Sequence, residues 1–120
     1  MNVTLSAERV GRVFASLSGE EPSEHEALCV AATNSIRAML KSGRDYLSRE
    51  AELIYAAACL AFYRYTLAKQ SEGMSGYKAG DITIKSDIIS ASKTAKALLD
   101  DALAAIADCI YLSGFRFKTV

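Results

Sequence analysis

Residues 53–63 read Leu-Ile-Tyr-Ala-Ala-Ala-Cys-Leu-Ala-Phe-Tyr, the longest apolar run in the chain. Because a bilayer span takes about 20 residues, a run of 11 predicts a buried helix rather than a membrane span. A helix that is apolar nearly all round must be covered on several sides. The cover has to come from the rest of a small bundle or from neighbouring subunits. Ala56, Ala57, Ala58 and Ala61 would let other helices approach closely.

Upstream of this run, the apolar spacing predicts two further helices. Val10, Val13, Phe14 and Leu17 recur at helical intervals and predict a first helix over about 5–18. The sequence Ser23-Glu24-His25-Glu26 has the pattern of a capping box, in which the first and last side chains satisfy each other's backbone donors. It predicts the start of a second helix that ends near Ser42, with Gly43 as its left-handed cap.

Ser48 is well placed to cap the third helix, which contains the apolar run, and Glu50 and Glu52 favour its first turn. Residues 71–80 contain three glycines and predict a loop. A fourth helix is expected from about Asp87 or Ser90 to Leu112.

Two short stretches alternate apolar and polar residues as half-buried strands do. In residues 81–85, Ile82 and Ile84 alternate with Thr83 and Lys85, and residues 115–120 alternate again. The two stretches could pair with each other, or each could extend a sheet on another subunit. The predicted fold is therefore an all-α, four-helix single domain over residues 1–120, with a glycine-rich loop and two extended segments.

The composition excludes several classes of function. Fourteen basic residues balance 14 acidic ones, so no overall charge recruits nucleic acid or an anionic membrane. The N-terminal residues lack the pattern of a secretory signal, and a cytoplasmic location is expected. Cys29, Cys59 and Cys109 are isolated within helical patterns, which predicts reduced core residues rather than a disulfide or metal framework.

No catalytic, cofactor-binding or metal-binding constellation is predicted. His25 is the only histidine, and the side chains of its neighbours Glu24 and Glu26 diverge by about 100° on a helix, so the triplet is interpreted as a solvated first turn. Glu20 and Glu21, like Asp100, Asp101 and Asp108, are interpreted as solvated faces. The three glycines match no nucleotide-binding fingerprint. A metal-dependent nuclease would need clustered carboxylates, and the spacing of the available aspartates does not provide them: Asp81, Asp87, Asp100, Asp101.

Basic and aromatic residues interleave near the two predicted strands. Such interleaving suits a binder of single-stranded nucleic acid, but lysines also protect strand edges against aggregation, and we favour the second interpretation. The residues concerned are Lys78, Lys85, Arg116 and Lys118, with Tyr77, Phe115 and Phe117 among them.

The order of these elements resembles a known family. An apolar helix ends in Leu60-Ala-Phe-Tyr-Arg-Tyr65, a glycine-containing loop leads into Tyr77-Lys-Ala-Gly-Asp-Ile-Thr-Ile84, and an Ala-rich helix closes on Gly114-Phe-Arg-Phe117. This pattern resembles the head-tail connector, or adaptor, proteins of tailed phages and prophages. The resemblance covers most of the chain and is strongest over residues 53–120.

The resemblance implies a non-enzymatic virion protein without a cofactor, which forms a homo-oligomeric ring and joins the head to the tail. Its implied partners are the portal protein and a tail-completion protein, with passing contact to packaged DNA and none to a membrane. It implies a location in the bacterial host's cytoplasm during assembly and then in the virion. The residues expected to contact subunits or the portal are Tyr77, Lys78, Asp81, Ile82, Ile84, Lys85, Phe115 and Phe117. The alternative is a small helical adaptor or regulator that acts as a dimer and binds one protein partner in a groove beside the third helix.

Overall fold

The computed structural model describes residues 6–41, 46–75 and 82–110. Within those ranges it contains four α-helices and no β-strand beyond one isolated bridge. The helices are α1 (Ala7–Ser18), α2 (Glu26–Met39), α3 (Glu50–Ser75) and α4 (Ile82–Ala105). Short 3-10 turns over Pro22–His25 and Leu47–Arg49 lead into α2 and α3. The predicted all-α, four-helix architecture is confirmed.

The central helix is α3, and the other three pack against it. Leu53, Ile54 and residues 56–61 are all buried, and Tyr55 is the one exposed position in this stretch. The apolar run is therefore covered by the chain's own helices. A single core surrounds it, built from α1, α2 and α4 residues that include Phe14, Ile36 and Leu103, and from Ile106 in the turn after α4.

Local signals in the sequence fix both ends of α1. The Ser6 side chain accepts hydrogen bonds from the backbone N–H groups of Glu8 and Arg9 at 3.2 and 3.4 Å. At the other end Gly19 adopts a φ of 76°, and its N–H donates to the Ala15 carbonyl at 2.8 Å. This left-handed conformation is one that glycine adopts without steric cost.

The predicted boundaries of α2 are wrong at both ends. Ser23 lies inside the 3-10 turn, and no side-chain hydrogen bond caps α2, so the capping box does not form. The helix stops at Met39 because Leu40 turns extended and pairs antiparallel with Ile110. The Lys41 N–H donates to the Cys109 carbonyl at 2.9 Å. A tertiary backbone contact thus replaces the helical bonds that would have continued α2.

The boundaries between α3 and α4 also differ from the prediction. Residues 71–75 continue α3 instead of starting a loop, and residues 82–85 form the first turn of α4 instead of a strand. Positions 84, 88 and 92 are four residues apart and 95 follows three later, so Ile84 and Ile88 also fit a helical period, and α4 packs along α3. With no partner strand in the described chain, helical packing prevails over the short alternation. The predicted strand over 115–120 and the loop residues 76–80 lie outside the described residues.

The three cysteines are buried and free, as predicted. Burial raises the pKa values of the Cys29 and Cys59 thiols, because a thiolate is poorly solvated in an apolar core.

Candidate functional site

The residues expected to make contacts fall into two groups. The structure places three of them, Ile82, Ile84 and Lys85, in the first turn of α4. The other five lie outside the described residues: Tyr77, Lys78, Asp81, Phe115 and Phe117. Contact between the two predicted segments is therefore a prediction still to be tested.

The described part of the chain has two polar junctions that the spacing of residues does not reveal. One fastens the start of α3 to the end of α4, and we call its residues the closing junction: Lys41, Tyr46, Arg49, Asp108 and Cys109. The other joins the end of α1 and the first 3-10 turn to the middle of α3, and we call it the histidine junction: Glu20, Glu24, His25 and Tyr65.

In the closing junction, Arg49 makes a two-pronged contact with a carboxylate. Its guanidinium lies 2.9 and 3.3 Å from the two oxygens of Asp108, donates to the Ala105 carbonyl at 2.7 Å, and also pairs with Glu52. The hydrogen bonds to Asp108 and Glu52 raise the pKa of Arg49 further above its already high value. These contacts tie the end of α4 and the turn that follows it to the start of α3.

Tyr46 completes the closing junction from inside. Its ring is buried, and its hydroxyl lies 3.1 Å from the Cys109 carbonyl and also within reach of the Lys41 carbonyl. Because a hydroxyl has one hydrogen, the two carbonyls share this donor. The contacts of Tyr46 and Arg49 join segments about 60 residues apart in sequence, which indicates a structural role.

The histidine junction combines a carboxylate, an imidazole and a phenol. Glu20 accepts a hydrogen bond from the Tyr65 hydroxyl at 2.9 Å through Oε2, and its Oε1 lies 3.5 Å from His25 Nε2. The hydrogen bond from Tyr65, followed by that from His25, lowers the pKa of Glu20, although partial burial opposes the shift. Glu20 is therefore held in its charged form.

Aromatic packing sets the position of His25. Its ring makes edge-to-face contacts with Phe14 and Tyr65, at centroid distances of 5.5 and 5.1 Å. The side chain of His25 is 24% exposed, so its ring is half-buried, whereas Glu24 and Glu26 on either side are exposed as the interpretation of a solvated turn expects. Tyr65 in turn lies under the Lys69 ammonium, 5.9 Å from the ring centroid.

An open groove runs beside α3 at this junction. It has a volume of about 380 Å³, within the range of about 300–1,000 Å³ found for small-ligand sites. Its walls are lined by Glu24, His25, Ala27, Leu28, Tyr65, Ala68 and Lys69.

The described carboxylates expected to be solvated behave differently from one another. Asp100 pairs with Lys96 one turn earlier at 3.0 Å, and Asp101 is exposed. Asp108 instead belongs to the closing junction, and Glu20 to the histidine junction. Asp108 is 61% exposed, as expected, but like Glu20 it also has a partner more than 40 residues away in sequence, which local spacing cannot reveal. The one local indication of the histidine junction in the sequence was His25, the only histidine, with Glu24 and Glu26 on either side.

No protein-family model, curated protein or solved structure matches this chain. None of the described helices has both the length and the apolar character needed to cross a membrane.

Proposed function

We propose that this chain is a non-enzymatic structural protein of the head-tail connector type, which assembles as a ring at a phage portal vertex and joins head to tail. The proposal draws on the resemblance over residues 53–120 and on one feature of the fold, the long α3–α4 hairpin. Its partners would be further copies of the chain, the portal protein and a tail-completion protein.

The hairpin is the feature that carries the proposal. Among the residues whose burial the structure describes, the core cluster ends at Tyr65 in α3 and at Leu98 in α4. Farther along the pair, the buried Ser92 Oγ lies 3.4 Å from the buried Thr66 Oγ1. From there α3 continues to Ser75, and α4 begins ten residues before Ser92, at Ile82. Ten helical residues span about 15 Å, so α4 extends well past the Thr66–Ser92 contact, and we call this distal part of the hairpin the arm.

An arm of this kind is suited to contacts between subunits. Position 82 falls on the same side of α4 as positions 93 and 100, since 11 and 18 residues are close to whole numbers of turns. Both Lys93 and Asp100 are exposed. This side of α4 is exposed at both described positions, so a neighbouring protein would contact α4 here through a helix rather than through an added strand.

The balanced charge of the chain also suits a connector. Fourteen basic and 14 acidic residues give no net attraction to phosphates. Packaged DNA has to pass through a connector ring, and many phosphate contacts would slow that passage.

The test is light scattering on a size-exclusion column, over a concentration series, with the full chain alone and then mixed with the portal protein of the same genome. The proposal predicts a high-order ring or co-elution with the portal. A dimer that ignores the portal would contradict it.

A pair of variants locates the contact. Ile82→Asp places a charge on the arm, and we expect it to abolish the ring or the portal complex while the helical circular dichroism stays unchanged. Ala104→Asp is the matched control, because Ala104 is exposed near the other end of α4, and it should assemble normally. Loss of helicity in Ile82→Asp would place that residue in the core and remove this support.

The groove at the histidine junction favours a second candidate, a small adaptor that binds one protein partner beside α3 as a dimer. Its apolar lining includes Ala27, Leu28 and Ala68. The same column run distinguishes the two candidates, since the adaptor predicts a dimer whose size the portal does not change. Ala68→Arg would then block the partner without affecting the arm.

A further inference from the structure

Two glutamates and the only histidine of the chain converge at the histidine junction. One candidate ligand atom from each of Glu20, Glu24 and His25 lies within 4.8 Å of the other two. Among the described residues this is the one group of three metal-ligating side chains that meets this criterion. The sequence offered Glu24, His25 and Glu26, but the fold substitutes Glu20 for Glu26 because the chain reverses after Gly19.

The spacing suits a small divalent ion. Ligand atoms at 2.0–2.2 Å from Zn²⁺ are separated by roughly 3.3–3.6 Å in a tetrahedron. Glu20 Oε1 and His25 Nε2 are already 3.5 Å apart. Glu24 lies in the same 3-10 turn as His25, and its exposed side chain has the rotamer freedom to close the remaining distance.

Neighbouring groups already orient two of the three ligands. Phe14 and Tyr65 hold the His25 ring by edge-to-face contact, and the Tyr65 hydroxyl binds the far oxygen of Glu20 at 2.9 Å. A phenol that binds the distal carboxylate oxygen acts as an outer-shell partner, which fixes the ligand and leaves its other oxygen for the ion. The open groove beside α3 gives the ion a path from solvent.

We propose that Glu20, Glu24 and His25 bind a divalent transition-metal ion of the Zn²⁺ type, with water completing the coordination. Imidazole and carboxylate together are a donor set that Zn²⁺ accepts. The ion would cross-link the turn after α1 to the start of α2, and through the Tyr65 hydrogen bond it would tighten both against α3. This proposal is independent of the connector function.

One nearby cation works against the ion. The Lys69 ammonium lies over the Tyr65 ring, lines the same groove and interacts favourably with the Glu20 carboxylate. Removing this charge should therefore tighten metal binding, whereas removing any ligand should weaken it. That opposite response separates a metal site from a purely structural cluster.

The experiment is titration calorimetry of Zn²⁺ into the tag-free full chain at neutral pH, with Co²⁺ absorption as a second readout. We expect one equivalent to bind, with affinity at least about tenfold weaker in His25→Gln and in Glu24→Gln. Glu21→Gln is the matched control, since Glu21 is exposed and outside the group, and its affinity should equal that of the unchanged chain. Lys69→Gln should bind several-fold more tightly.

The decisive results do not depend on one variant. Because His25 is packed between rings, His25→Gln could unfold the junction, and circular dichroism checks this. Glu24 is exposed, so Glu24→Gln tests the same ligand set without that risk. Failure of the unchanged chain to bind Zn²⁺, or equal affinity in Glu24→Gln and Glu21→Gln, would overturn the proposal.

Discussion

The closing junction and the histidine junction fasten the same helix, but they differ in how fully their polar groups are used. In the closing junction the Arg49 guanidinium donates to four acceptor atoms: both Asp108 oxygens, the Ala105 carbonyl and a Glu52 oxygen. The Cys109 carbonyl accepts from both the Lys41 N–H and the Tyr46 hydroxyl. In the histidine junction Glu20 and Glu24 bring negative charge to a partly exposed imidazole. A junction in which a guanidinium balances the carboxylates stabilises the fold, whereas one with two carboxylates around a partly exposed imidazole can also take a ligand.

The largest effect should come from the apolar support of the histidine junction. Phe14 is fully buried and contacts both His25 and Tyr65. We expect Phe14→Ala to lower the free energy of unfolding by about 3–5 kcal/mol, because it leaves a cavity. Urea unfolding followed by circular dichroism measures this. Leu67→Ala is the control, since Leu67 is 41% exposed, and its effect should stay within about 0.5 kcal/mol.

The next largest effect should be the loss of the buried hydroxyl in the closing junction. Tyr46→Phe keeps the ring but leaves the Lys41 carbonyl without this donor, and we expect a loss of about 1–2 kcal/mol. Tyr55→Phe serves as the control, because Tyr55 is 37% exposed and its hydroxyl meets only the weakly accepting sulfur of Cys59. If the two variants unfold at the same urea concentration, the Tyr46 hydroxyl contributes nothing and the comparison between the junctions fails.

A smaller effect is expected at Arg49. Arg49→Gln removes the two-pronged contact with Asp108, and we expect a lower melting temperature in dilute buffer. Because the Asp108 side chain is 61% exposed, salt should screen the pair and reduce the difference from the unchanged chain. Melting curves at low and high salt measure this. A difference that does not change with salt would contradict an electrostatic origin.

The smallest effect should be a change in the acid limb of stability. The Tyr65 and His25 hydrogen bonds lower the pKa of Glu20 below its usual value of 4.5. The pKa of Glu20 is lower in the folded than in the unfolded state. The charged carboxylate therefore stabilises the fold at every pH above the pKa of Glu20 in the unfolded chain. This contribution is lost as pH falls from about 4.5 through the folded pKa.

Urea unfolding between pH 6 and pH 3 should therefore show a shallower acid decline for Glu20→Gln than for the unchanged chain. Glu21→Gln controls for the loss of one surface charge, since Glu21 is exposed. Equal declines for all three proteins would mean that the hydrogen bonds from Tyr65 and His25 do not lower the pKa of Glu20.

The two junctions also mark what could be predicted from the sequence. The core positions were predictable, because Val10, Phe14, Ile36 and Ile106 lie on helical stripes. The two ends of α1 are set locally, by the capping side chain of Ser6 at the start and by the left-handed conformation of Gly19 at the end. Both junctions depend on residues that lie far apart in the chain, such as Tyr65 and Glu20. No spacing rule encodes such pairs, so the candidate metal site became visible only once the helices were packed.

The sequence by itself determined four helices around one apolar helix, because hydrophobic periodicity and length are properties of each segment alone. Tertiary structure decided where α2 ends, since the Leu40–Ile110 pairing replaces a further helical turn. It also decided that residues 82–85 are helical, because packing along α3 outweighs a four-residue alternation. Finally, tertiary structure decided that the apolar run is covered within the chain, because α1, α2 and α4 all pack against α3.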